Sequence, residues 1–200
     1  MRPQRVLKIA LWCVIASVFL LTAASMVERR RAQAEFGAVL SAYLSDEIVH
    51  DFHDWGSGRG ITVVLQREAQ LPATWRFRQF FLFDHQAHFA EASFVTRASF
   101  VINNTLPSPS HIQLHLPPRV NVVVASSREL QAGMGGDFEQ RFPHNLGYLA
   151  VTRAGFSADK TEALFYIDHF CGLCGGGAYI LMRKVNGVWV VVNRHGTWAS

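Results

Sequence analysis

The residues of this chain best suited to chemistry are two cysteines and two groups of histidines with carboxylates. Cys171 and Cys174 stand two residues apart among Gly172, Gly175, Gly176 and Gly177. Thiols this close are joined in an oxidising compartment. A redox dithiol is a second use, in which a depressed thiol pKa drives exchange. Such dithiols sit at a helix N-terminus, where the dipole favours the thiolate; here a strand pattern follows the pair. Zinc is a third use, with His169, Cys171, Cys174 and His195 as ligands, but no second cysteine pair is present. The expectation is a structural Cys171–Cys174 disulfide that pins a wide β-hairpin loop.

Glu47, His50, Asp51 and Asp54 fall at offsets that share one face of a helix, with His53 one step around. Asp84, His85 and His88 form a second local group. His50, His53, His85, His88 and His169 are the candidate ligands should a divalent metal be held, provided the groups meet in space. Their spacing is not that of His-Glu-x-x-His, and nothing in the sequence brings them together. The expectation is therefore a polar helix end and a polar loop, with no metal and no cofactor. Arg153, beside Gly155 and Phe156, either receives an anion or pairs with an acid on a neighbouring strand. No Gly-x-Ser-x-Gly elbow and no phosphate-binding loop is present.

These side chains need elements to hold them. Phe36, Val39, Leu40, Tyr43 and Leu44 recur at helical spacing, which predicts a helix from Ala32 to about His53. Ile61 to Leu65 and Val120 to Ala125 are β-branched runs that read as strands. Residues 88–104 read as a helix stopped by Asn103-Asn104, and Phe138 to Phe142 as a helical turn. Ser126 or Ser127 suits an N-cap. The C-terminal third predicts four strands: 148–156, 162–170, 178–185 and 188–193. Asn186-Gly187 between the last two is a strong hairpin signal, because both turn positions want positive φ. Trp189 and Trp198 are expected to cover the buried face.

Charge places the chain. Six Lys or Arg precede residue 32 against one acid, Glu28; the remainder has 13 basic and 14 acidic residues, a net of −1. A nucleic-acid binder carries its basic charge on the folded surface, so that class is excluded. The basic residues flank Ile9–Val27, 19 residues without charge, about 28 Å long as a helix against a hydrocarbon core of about 30 Å. The segment is either an uncleaved anchor, the preferred expectation, or a signal peptide cut near Thr22-Ala23-Ala24-Ser25 to release a secreted protein. The flanking charge favours a cytoplasmic N-terminus. Residues 1–31 form this segment, and 32–200 a single extracytoplasmic domain.

From Phe142 onward the chain resembles a family of uncharacterised exported bacterial proteins. The resemblance rests on Phe142, Pro143, Gly147, Thr152-Arg153, Gly155-Phe156, Ala163-Leu164, Tyr166, Leu173-Cys174-Gly175, Gly187, Trp189, Trp198 and Ser200. It covers under a third of the chain. It implies export and a domain of α+β kind, and it brings no activity with it.

The fold expected is thus α+β: an N-terminal transmembrane helix, then helices packed on an antiparallel sheet that ends in a four-stranded β-meander. The function expected is a membrane-tethered, non-enzymatic domain that binds a small ligand or a protein. A metal-dependent or redox enzyme that uses the His/Asp groups or the dithiol is the alternative.

Overall fold

The computed structural model describes residues 31–47, 60–68, 91–104, 112–133, 137–171 and 175–199. Helix α1 occupies residues 31–47 and buries the stripe Phe36, Val39, Leu40, Tyr43 and Leu44. Strand β1 is Ile61–Gln66, helix α2 Phe94–Asn103 and strand β2 Val120–Ala125. Two short helices follow, α3 (Ser127–Gly133) and α4 (Phe138–Arg141). The remaining strands are β3 (Asn145–Val151), β4 (Gly155–Phe156), β5 (Glu162–Phe170), β6 (Gly175–Val185) and β7 (Val188–Ala199).

The strands form one seven-stranded sheet in the order β2-β1-β3-β5-β6-β7, with β4 also paired to β5. The expected antiparallel α+β arrangement is corrected here, because β1 runs parallel to both β2 and β3. Parallel neighbours need crossover connections: the chain between β1 and β2 includes α2, and α3 and α4 lie between β2 and β3. The sheet is therefore mixed, with antiparallel pairing from β3 through β5 and β6 to β7. The transmembrane helix of that expectation is no part of the described architecture. No helix among the described residues is long and apolar enough to cross a membrane, and residues 9–27 lie outside them.

Alternation along the strands gives the sheet two buried faces. Val63, Leu65, Phe165, Ile167, Ile180, Met182 and Trp189 pack under α1. On the opposite face Leu164, Tyr166, Tyr179 and Leu181 meet Phe100 of α2, while Val64 joins Ala125, Leu130 and Phe142 under the short helices. Phe165 takes the rings of Phe36 and Tyr43 edge-on at 5.8 and 5.5 Å, a favoured aromatic geometry.

Two local departures from expectation have visible causes. The strand predicted over 148–156 breaks into β3 and β4. Thr152 binds the Tyr166 backbone through both its amide and its hydroxyl, and the Arg153 amide donates to Asn104 Oδ1 beyond the end of α2. The last strand runs on to Ala199 through two register shifts. Trp189 is buried in the α1-side core as expected, whereas Trp198 lies on the other face and is 38% exposed.

Candidate functional site

Beside the last described turn of α1 a pocket of about 300 Å³ opens against the sheet. Its apolar walls are Tyr43 and Leu44 from the helix and Val63, Leu149, Ile167 and Ala178 from four adjacent strands. Glycine backbone forms part of its lining. Gly147, Gly176, Gly177 and Gly196 all line it, and a Cβ built on Gly196 would meet nothing within 4 Å.

Polar groups stand at particular points of this wall. Arg194 of β7 binds Glu47 of α1 through both guanidinium nitrogens, the first at 3.0 Å. Such fork-to-carboxylate pairs fix geometry as well as charge. The same guanidinium lies 5.5 Å from the Tyr43 ring, so the pair also ties the end of α1 to the edge strand. His169 lines the pocket, and it stands opposite Leu149 on one side and Gly176 on the other.

Behind the pocket, on the α2 face, lies a polar network that the sequence reading missed. Asp168 Oδ1 accepts from the Tyr166 hydroxyl at 2.7 Å and from Trp198 Nε1 at 2.8 Å. Thr197 Oγ1 lies 3.1 Å from the same hydroxyl and donates to the Gly177 carbonyl at 2.9 Å. Asp168 is buried, and a buried carboxylate persists only when it is well satisfied. Burial pushes the Tyr166 phenol up to about 12, and the bond to Asp168 pushes it the same way. Tyr148 is raised by burial and then by the charge of Asp168. Trp198 reaches Asp168 across β6 because Gly177 stands between them: a Cβ there would lie 2.1–2.4 Å from all three partners. The usable signal was a lone carboxylate, Asp168, directly after the run Ala163–Ile167.

The sequence-predicted residues fare differently. Cys171 is disulfide-bonded; Cys174, its expected partner, lies outside the described residues, as do His50, His53, His85 and His88. Glu47, expected on a polar helix end, is the partner of Arg194. His169 and His195 do not converge. His169 alternates with Ile167 on the α1 face, whereas His195 pairs with Tyr179 on the α2 face. Among the described residues no three His, Cys, Asp or Glu side chains are grouped to hold a metal. Arg153 Nη1 donates to the Asn103 carbonyl at 3.1 Å, at the C-terminus of α2, where a cation satisfies both the orphan carbonyl and the dipole.

No family model matches the chain, and no curated protein and no solved structure matches it either.

Proposed function

We propose that this chain is an exported domain held at the outer face of a membrane by residues 9–27, and that it acts by binding rather than by catalysis. The ligand is a small apolar molecule, or an apolar group of a larger one, seated between the end of α1 and the sheet. The pocket carries this reading: about 300 Å³ is at the small end of ligand sites, which are mostly apolar with few polar groups. The Glu47–Arg194 pair would set the orientation of a polar end. A Cys171–Cys174 bridge would hold the β5–β6 connection next to His169. The resemblance of residues 142–200 to exported proteins supports the location.

Gly196→Leu tests it. The side chain enters open space on β7, so the unliganded variant should melt within about 2 °C of the parent, a change of less than about 1 kcal/mol. Thermal shift would be measured against a panel of small hydrocarbons, aromatic alcohols and short-chain fatty acids. Stabilisation of the parent that Gly196→Leu abolishes supports the pocket. Equal shifts in both proteins, or none in the parent, overturn it.

A redox enzyme has one observation in its favour: Cys171 is disulfide-bonded two residues from His169 in the pocket wall. Intact mass and metal content on protein from the membrane fraction, prepared without reductant, separate the readings. A mass two hydrogens below the reduced value, unchanged at a glutathione poise, identifies a structural bond. A bond that opens and closes at that poise supports dithiol chemistry, and intact thiols with stoichiometric zinc support a metal site.

A further inference from the structure

Helix α2 is built inside out. Its sequence, FVTRASFVIN, contains one charged residue, and that residue, Arg97, is buried together with Thr96 and Phe100. On the outward face Phe94 is 57% exposed, Val95 51% and Ile102 71%, with Ala98 between them at the i+4 position. A solvated helix carries its polar residues outward. This one presents an uncharged apolar stripe.

Its first turn lies at a definite end of the molecule. The Ser93 amide donates to Glu162 Oε1 at the start of β5, and Arg183 near the end of β6 donates to the Glu91 carbonyl. Phe94 and Val95 therefore sit at the end of the sheet where β6 turns into β7. The same end carries more exposed apolar side chains: Val185 at 51%, Val188 at 62% and Val190 at 39%. Val188 and Val190 flank the buried Trp189 and so point to the face that α2 covers.

The chain enters the domain at this end too. Glu35, in the opening turns of α1, accepts from Lys184 Nζ at 2.5 Å and from Trp189 Nε1 at 3.1 Å. At the opposite end of α1, Glu47 reaches Arg194. The described part of the helix thus runs from beside the β6–β7 hairpin to the pocket. Only three residues separate Val27, the last of the apolar segment, from Arg31, four Cα steps with a reach of at most about 14 Å.

We infer that this end of the domain, the first turn of α2 with the β6–β7 hairpin, is a lipid-contact surface that rests in the interface of the bilayer. The inference rests on the proposed membrane tether, which delivers this end to the bilayer and turns the pocket away from it. Lys184 is matched by Glu35 and Arg183 by Glu162, so the surface that α2 and the hairpin present is apolar.

The test uses the full chain in its own membrane, with a photoreactive benzoylphenylalanine at Phe94, Val188 or, as control, Val124. The last is 42% exposed but lies on β2, at the far edge of the sheet. Carbonate-washed membranes are irradiated and adducts read by mass. Lipid adducts at Phe94 and Val188 are expected to exceed those at Val124 by at least about tenfold. If the chain washes off the membrane, the tether falls and this inference with it. If it stays and the three positions give equal lipid adducts, the lipid-contact surface alone is overturned. Protein adducts at Phe94 and Val188 in place of lipid overturn it as well, and assign the surface to a partner chain.

Discussion

Gly177 concentrates the chemistry of the β5–β7 region into one position. It faces Asp168 on β5 and Trp198 on β7, and its missing side chain is the gap through which the indole reaches the carboxylate. Gly177→Ala must expel Trp198 or Tyr166 from Asp168, since the new methyl would lie 2.1–2.4 Å from their polar atoms. Overpacking combined with the loss of a bond to a buried charge costs about 3 kcal/mol. The expected outcome is a fall in melting temperature of roughly 6–12 °C for a chain of this size. Gly196→Ala, two strand positions from Trp198 and open on all sides, should change stability by less than about 0.5 kcal/mol. Thermal unfolding of the two variants side by side checks the contrast. Equal effects would mean that the network bends without loss and that Gly177 is replaceable.

At the scale of elements, one carboxylate clamps a helix to the sheet. Glu162 is buried at the start of β5 and accepts from the Ser93 amide at 2.7 Å and from Arg183 Nε at 3.0 Å. Burial pushes its carboxyl up, but the bonds from Thr96, Ser93 and Arg183 outweigh it and hold it below the ordinary 4.5. A group with a depressed folded pKa adds stability above its unfolded pKa and loses it as pH falls through the folded one. The parent should therefore lose stability below about pH 4.5 more steeply than Glu162→Gln, which starts about 1–2 kcal/mol lower at neutral pH because charge-assisted bonds become neutral ones. Denaturant titrations at several pH values read both quantities; parallel curves would remove Glu162 from the acid transition. The elements themselves were largely legible. The stripe of α1, the β-branched runs of β1 and β2 and the Asn186-Gly187 turn, with φ of 51° and 84°, all follow from local rules. The clamp was not, because Ser93, Glu162 and Arg183 are 69 and 21 residues apart. No local pattern marks which acid will meet a helix start. The pocket was hidden for the same reason, since Tyr43, Val63, Ile167 and Ala178 meet only through sheet order.

The sheet order is a property of the whole molecule, and it was the main thing the sequence reading got wrong. Hairpin signals declare antiparallel neighbours locally, whereas parallel pairs are joined by long crossovers and leave only a composition trace. That trace was present in the apolar run Thr62-Val63-Val64-Leu65, buried along its whole length, as a strand covered on both faces must be. An antiparallel C-terminal unit and a single mixed sheet make different predictions for native-state hydrogen exchange. In the mixed sheet β1 is central, paired with β2 and β3, with Val64 against α3 and Val63 against the α1 side. Its amides should then exchange only through global unfolding, as slowly as those of β5, where Glu162–Asp168 are all buried. Among the described residues the edge strands β2 and β7 have one partner each and partly exposed side chains, so they should open locally and exchange faster. Were β1 amides to exchange orders of magnitude faster than β5, the strands from β3 onward would be a cooperative unit of their own, with β1 and β2 a detachable flank. Equal protection of β1 and β5 would mean that the pocket, whose walls come from β1, β3, β5, β6 and β7, persists as long as the molecule stays folded.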